Sequence, residues 1–319
     1  MFKKIFKWLG LILLLIVVGI SAVTPLRQNL KYEAPYPEIT ASTDSAVIAR
    51  GKELVKGAAH CGDCHSTRPA DSALVADGEM PLAGGFKFDL PVGEIYARNI
   101  TPDTLTGIGR RTDKELARVL RYGVHADGTA VFNFMPFQSM ADEDLISIIS
   151  YLRSLKPVRN EVPENRMNVM GNMVKAYMVE PVGPRTEVPK AIKRDTSAAY
   201  GEYLAISVAN CAGCHTTRDL AGTYTGEYFA GGMVFEEKDG NYIPPNLTPH
   251  STGRTWKWSQ EAFIARFRNG KLLPGTPMPW NSFKQMSDND LKAIYNFLQT
   301  LKPVNNPIPS TFVAKKEAE

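Results

Sequence analysis

The chain of 319 residues has only four cysteines, and none lies outside two C-x-x-C-H motifs. Nothing is left over for an independent disulfide framework. Histidine is scarce too, with five in all, two of them inside those motifs. No excess of one charge exists: 37 Lys and Arg against 33 Asp and Glu leave a formal +4. That is too mild for the basic field of a nucleic-acid-binding domain. Long apolar runs are missing except for one at the N-terminus, which excludes a polytopic membrane protein. No pattern for phosphate binding or a catalytic triad is present. What is there in ordinary amount is hydrophobic residue, at 44%, enough for a core and against a wholly disordered chain. The 25 Gly and 22 Pro point to many turns and moderate regular structure. The length suggests two domains.

The single apolar run sets the compartment. Lys3, Lys4 and Lys7 precede a stretch from Trp8 to Val23 that is interrupted only by Gly10, Gly19 and Ser21, with Pro25 closing it. Counted from Ile5 it is 19 residues, near the length that spans a bilayer as a helix. A cleaved secretory signal is the alternative for residues 1–25. The anchor is favoured because the run is long for a signal core, no A-x-A site follows, and no cysteine near residue 20 offers lipid attachment. On either reading the lysines stay cytoplasmic and the chain after Pro25 is exported, facing the periplasm or the extracellular side.

The rest of the sequence repeats itself at an offset that drifts only between 143 and 150. Cys61-Gly62-Asp63-Cys64-His65-Ser66-Thr67-Arg68 matches Cys211-Ala212-Gly213-Cys214-His215-Thr216-Thr217-Arg218. Ala83-Gly84-Gly85 matches Ala230-Gly231-Gly232, and Asn99-Ile100-Thr101-Pro102 matches Asn246-Leu247-Thr248-Pro249. Arg121-x-Gly123 matches Arg268-x-Gly270, Met135-Pro136-Phe137 matches Met278-Pro279-Trp280, and Leu155-Lys156-Pro157-Val158 matches Leu301-Lys302-Pro303-Val304. Kept order over this length reads as two copies of one domain, 41–157 and 196–304, with a Pro-broken linker at 158–195 and a mobile tail at 305–319. Within the linker, Met167 to Met178 predicts one or two helical turns against a neighbour.

Each copy predicts the same outline. A helix over 44–59 or 196–209 leads into C-x-x-C-H, a Gly/Pro-rich middle follows, and a helix over 114–122 or 260–269 precedes the M-P loop. Leu145, Ile148, Ile149, Leu152 and Leu155, and likewise Leu291, Ile294, Leu298 and Leu301, place one apolar face on a closing helix. Ser287 is its expected cap in the second copy, with Asp290 at the third helical position. Pro157 and Pro303 stop the two helices.

The chemistry sits in the motifs. Two cysteines three residues apart match the spacing of porphyrin vinyl groups, and the next histidine can ligate iron: the c-type haem attachment signal. Cys61, Cys64 and His65, with Cys211, Cys214 and His215, are the candidate cofactor-binding residues for two covalently attached haems c. Zinc wants four ligands close together, whereas these pairs lie in separate copies. Thiol redox chemistry wants a thioredoxin-like βαβ pattern, which is not evident. For the opposite side of each iron, only Met135/Met278 and Met140/Met286 recur in register among the 11 methionines. Met140 and Met286 stand five residues ahead of Leu145 and Leu291, where they serve as hydrophobic staples. Met135 and Met278 precede proline in loops and have no such task, so they are the expected distal ligands. His60, His125 and His250 do not recur and are expected on the surface or in loop hydrogen bonds.

These motifs together resemble tandem class I cytochrome c domains, and are especially similar to the multihaem cytochrome c subunits of membrane-bound alcohol and gluconate dehydrogenases. The resemblance covers about residues 45–157 and 197–304. It implies an all-α domain around each haem, with first and last helices crossing near Gly51 and Tyr151, or Gly201 and Phe297. With the N-terminal run and the two motifs, the expectation is a membrane-anchored dihaem electron carrier without a catalytic residue of its own. Its expected partners are a membrane respiratory complex or dehydrogenase on one side and a terminal oxidase or soluble cytochrome on the other. The alternative is a dihaem enzyme such as a peroxidase or a thiosulfate dehydrogenase. Near-equal motifs argue against the first, and the absence of a spare cysteine against the second.

Overall fold

The computed structural model describes residues 2–66, 80–184, 187–219 and 222–315; Thr67 and Arg68 of the first matched run lie outside them. The chain opens with a 26-residue helix, α1 (Phe2–Arg27), whose best 18-residue window has a mean hydropathy of 2.6. Only Thr24 of this helix is buried. Pro25 does not close it as expected: a proline forgoes one backbone bond, and Gln28 N still donates to Thr24 O at 3.0 Å.

The first copy begins with α2 (Ser45–Lys56), capped by Asp44, whose carboxylate accepts from Ala46 N at 2.7 Å. The one-turn α3 (Gly62–His65) follows, then a hairpin of β1 (Lys87–Leu90) and β2 (Gly93–Tyr96). Next come α4 (Asp113–Tyr122), opened by a Thr112/Glu115 capping box, and α5 (Asp142–Ser154). The second copy retraces this order. Its α7 (Ala198–Tyr203), capped by Ser197, continues as a π-helical turn over Leu204–Val208 and leads into α8 (Cys211–His215). Then come β4 (Phe235–Glu236), β5 (Gly240–Tyr242), α9 (Gln260–Arg268), α10 (Trp280–Phe283) and α11 (Asp288–Thr300). Ser287 caps α11, accepting from Asp290 N at 3.1 Å, as the sequence predicts.

In each copy the first helix crosses the last at a glycine, α2 on α5 and α7 on α11. A side chain on Gly51 would run into the Ser147 carbonyl and Tyr151 Cβ, as expected. In the second copy a side chain on Gly201 would meet the Ala293 backbone first, one turn before Phe297, whose ring lies 5.5 Å edge-on from Phe229. Leu145, Ile148, Ile149 and Leu152 are buried, as are Leu291, Ile294 and Leu298. Leu155 and Leu301 are extended caps just past the helix ends, because the residues ahead of Pro157 and Pro303 disfavour helix.

The all-α expectation needs correcting. Two small antiparallel sheets are present, in the orders β1-β2-β3 and β4-β5-β6. Their third strands come from the expected linker and tail: β3 (Arg166–Met167) pairs with β2, and β6 (Phe312–Ala314) pairs with β5. The tail is therefore held in a sheet rather than mobile over these residues. Both segments perform the same closure, since Asn160 Nδ2 donates to Ala83 O at 2.8 Å and Asn306 Nδ2 to Ala230 O at 2.9 Å. The Met-rich stretch forms α6 (Val169–Tyr177), which packs against α1.

The copies meet through residues that hold equivalent places in the repeat. Arg50, only 7% exposed, forks onto Asp144 at 2.9 and 3.2 Å and donates to the Tyr200 hydroxyl at 3.2 Å. Tyr203 donates to Asp144 at 2.8 Å and Tyr200 to Asp290 at 2.9 Å. Burial opposes the Arg50 charge, but the hydrogen bond and attraction of Asp144 outweigh it and hold the guanidinium protonated. Burial, first of all, pushes both tyrosine hydroxyls up, so they remain donors. Removing one partner strands a buried charge. Asp144→Ala is expected to lower stability by about 3–5 kcal/mol in denaturant unfolding of the holoprotein, and a loss under about 1 kcal/mol would contradict this account.

Candidate functional site

Each C-x-x-C-H forms one helical turn, which puts the two cysteines at i and i+3 on one face with the histidine beside them. The turn starts the same way in both copies. His60 and Asn210, the residues before the first cysteines, have φ of 39° and 52°, an uncommon backbone conformation for residues other than glycine. No disulfide joins the four cysteines, all of which are partly buried. Burial pushes the Cys61 and Cys211 thiols up to about 12. A redox dithiol needs the opposite, a stabilised thiolate. Among the described residues no group of three or more His, Cys, Asp or Glu is placed to hold a metal ion.

The two histidines share one environment. His65 Nδ1 lies 2.7 Å from Arg98 O, and His215 Nδ1 lies 2.9 Å from Pro245 O. A carbonyl only accepts, so Nδ1 carries the proton and Nε2 keeps its lone pair. Burial lowers both imidazoles against the pull of that bond, His215 to about 4, so both are neutral. A neutral imidazole with a fixed Nδ1–H is the form that ligates through Nε2. The residues thus fit a haem c at each motif.

The recurring middle segments build this environment. In A-G-G, Gly84 and Gly231 have φ of 76° and 74° and donate to His65 O and His215 O, each at 2.7 Å. A side chain there would strike the backbone of residues 97–99 or 244–245, the stretches that supply the carbonyls to the histidines. N-[IL]-T-P ties down the end of the closing helix: Asn99 Nδ2 donates to Val158 O and Asn246 Nδ2 to Val304 O, both at 2.8 Å. The two asparagines and Thr101 and Thr248 are buried.

Met135 and Met278 lie half-buried in their loops and pack on the same core as Cys61 and Cys211. Met140 and Met286 are buried within that core, as their staple role requires, together with Leu145 and Leu291. The arginine of R-x-G fixes the far end of each M-P loop. Arg121 reaches Gln138 O at 3.1 Å and Asp142 at 2.7 Å, while Arg268 reaches Lys284 O at 2.6 Å and Met286 O at 2.7 Å. Sequence reasoning found these arginines as a repeat but missed their clamp. Spacing was the available signal, since each ends the helix just before its M-P loop. Of the remaining histidines only His60 adjoins a motif, with Nδ1 3.9 Å from Asp63. His250 Nδ1 meets Thr252 Oγ1 at 2.9 Å, His125 holds a loop through a backbone bond to Thr129, and His60 packs edge-on to Phe283 at 5.4 Å. The two sites touch through Asp63, inside the first motif, which accepts from Ser282 Oγ at 2.7 Å. Ser282 lies in α10, just past Met278.

A paired thiol turn, a proton-fixed imidazole and a clamped methionine loop recur in both copies, and they fit what a c-type haem requires of its protein. Residues 198–302, the second copy, match the cytochrome c family. The chain is homologous to cytochrome c subunits of dehydrogenases. It is 30% identical over 284 residues to the cytochrome c subunit of a quinone alcohol dehydrogenase from Gluconobacter oxydans, covering 82% of this chain and 56% of that protein. It is 28% identical over 281 residues to the fructose dehydrogenase cytochrome subunit of Gluconobacter japonicus, covering 84% of this chain and 55% of that protein. A diheme cytochrome c-type protein of Cereibacter sphaeroides is 24% identical over 314 residues, covering 93% and 97%. The chain thus spans about half the length of these two dehydrogenase subunits and nearly all of the diheme protein.

Proposed function

We propose that this chain is a dihaem c-type cytochrome of two tandem domains, held to the membrane by α1, that carries electrons on the exported side. Its donor is a respiratory dehydrogenase or quinol-oxidising complex, and its acceptor a terminal oxidase or soluble cytochrome. The observation that carries this reading is the twofold occurrence of a backbone carbonyl holding the Nδ1–H of the motif histidine. It supports reading the first copy in the same way as the second, which matches the cytochrome c family.

Bound haem supplies a reversible one-electron iron couple. The protein's part is to hold it. Cys61 and Cys64, or Cys211 and Cys214, fix the ring to one turn of backbone. His65 and His215 present Nε2 without needing to lose a proton. Met135 and Met278 offer thioethers, which favour the reduced state. The Asp63–Ser282 contact sets the first attachment turn against the helix after the second methionine loop, which suits transfer within the chain. Residues beyond α1 bind the first copy, with Tyr32 N on Gly128 O at 2.8 Å and Lys31 on Asp127 at 2.9 Å. That copy therefore sits next to the anchor and faces the membrane complex.

Protein purified from membranes of cells equipped for haem ligation is expected to give two c-type haems per chain in the reduced pyridine haemochrome spectrum. It is also expected to be reduced by a respiratory dehydrogenase supplied with its substrate or by a quinol-oxidising complex supplied with quinol. Colourless protein, or one haem per chain, would overturn the dihaem reading; rapid turnover of peroxide would move it to the enzyme class.

A further inference from the structure

The segment between the copies carries a helix that the electron-transfer reading leaves unused. Gly171 presses α6 against the Val92 carbonyl, and Ala176 is buried. The other side is apolar and bare: Val169 is 80% exposed, Met170 58%, Met173 41% and Met178 53%, with Tyr177 beside them. These residues and Val174 line an open apolar recess of about 620 Å³. A loop-borne helix on a soluble face would present polar residues there.

The height of α6 is fixed by α1. The Tyr177 hydroxyl lies 3.4 Å from Thr24 Oγ1, Arg27 Nε donates to Ala176 O at 3.2 Å, and the Arg27 guanidinium lies 5.3 Å from the centre of the Tyr177 ring. Lys175 Nζ reaches Asn29 Oδ1 at 3.1 Å, and Tyr32 OH reaches Val179 O at 3.4 Å. All these partners lie within Thr24–Tyr32, where the apolar run gives way to polar chain. If α1 spans the bilayer, that level is the exported headgroup region. Tyrosine, arginine and lysine are the side chains that settle there, and exposed Val and Met belong just below.

We propose that α6 is a second membrane contact, lying in the exported interface of the bilayer beside the exit of α1 with Val169, Met170, Met173 and Met178 in lipid. The inference rests on the anchor reading of α1. Its occupant is lipid rather than a partner helix, because the face continues the level at which an apolar span ends. Residues 31–42 are bonded to the first copy, but a single span leaves the tilt of that copy against the bilayer plane unset. A second contact fixes the orientation in which that copy meets a membrane partner.

The test uses the full chain in vesicles of phosphatidylethanolamine and phosphatidylglycerol, with no other protein present. A polarity-sensitive thiol fluorophore is placed by Met173→Cys, by Leu14→Cys in α1, and by Lys193→Cys on an exposed side chain as the aqueous control. Unsubstituted protein treated with the same reagent gives the background. Vesicles carrying nitroxide lipids are expected to quench Met173→Cys about twofold with the label high on the acyl chain, and Leu14→Cys with a deep label, leaving Lys193→Cys bright. Quenching at Leu14→Cys without quenching at Met173→Cys overturns the α6 contact while the anchor stands, and would assign the face to a protein partner. Quenching at neither overturns both.

Discussion

Removing the second attachment pair, by Cys211→Ala with Cys214→Ala, is expected to leave one covalent haem per chain instead of two and to unfold the second copy while the first stays coloured. The cysteines sit on a single turn, α8, whose Ala212, Gly213 and His215 are buried and whose first residue packs on the core. The turn is too short to hold itself, since an isolated helix of this length does not persist in water. Around it the copy has two-residue and three-residue strands, a four-residue helix and a Gly/Pro-rich middle. A porphyrin fixed to α8 would give these pieces a common apolar centre; without it only the α7–α11 crossing and α9 remain to hold the copy. The first copy keeps Cys61, Cys64, His65 and its own crossing of α2 with α5. Intact mass, which reports each bound haem directly, and the circular dichroism melt decide the matter. Two haems in the variant, or an unchanged melt, would refute it.

How much of this was legible in the sequence depends on how local each feature is. The closing helices α5 and α11 were, because their apolar faces follow helical spacing over 13 residues each and Ser287 caps the second. The one-turn arrangement of each C-x-x-C-H was too, because a three-residue spacing sets both cysteines on one side of a helical turn. The sheets were not. Strands such as Phe235–Glu236 and Arg166–Met167 are too short to show alternation, and the third strand of each sheet pairs with a segment far away in the chain. The role of linker and tail was hidden for the same reason, although Leu-Lys-Pro-Val continues to an asparagine at both 160 and 306. The repeat therefore runs past the prolines that appeared to end it. The Arg50–Asp144–Tyr200 cluster had no local signal at all. Arg50 and Tyr200 occupy the same place in their copies, yet alignment pairs them as a mismatch, and only the fold brings them into contact.

The methionines give the sharpest test of ligand against packing residue, since each copy places one in a loop and one in the core a few residues apart. Met278 is half-buried at the loop and Met286 is 4% exposed in the core. Met278→Ala removes a thioether from the edge of the site and little packing. It is therefore expected to turn one of the two haems high-spin, to abolish the sulfur-to-iron charge-transfer band of that haem and to lower its reduction potential, with a small change in stability. Met286→Ala does the reverse. It opens a cavity among Phe283, Leu291 and their neighbours, costs about 2–5 kcal/mol, and leaves both haems low-spin. The same division is expected between Met135→Ala and Met140→Ala in the first copy. Arg268 links the two roles, because it grips Met286 O and Asp288 and so fixes the frame in which Met278 stands. Arg268→Ala should then weaken the Met278 bond without deleting it, seen as a low-spin to high-spin change at a lower denaturant concentration than in the parent. Visible and magnetic circular dichroism spectra of the four methionine variants provide the check. Loss of the low-spin signature in Met286→Ala, with Met278→Ala unchanged, would exchange the two assignments.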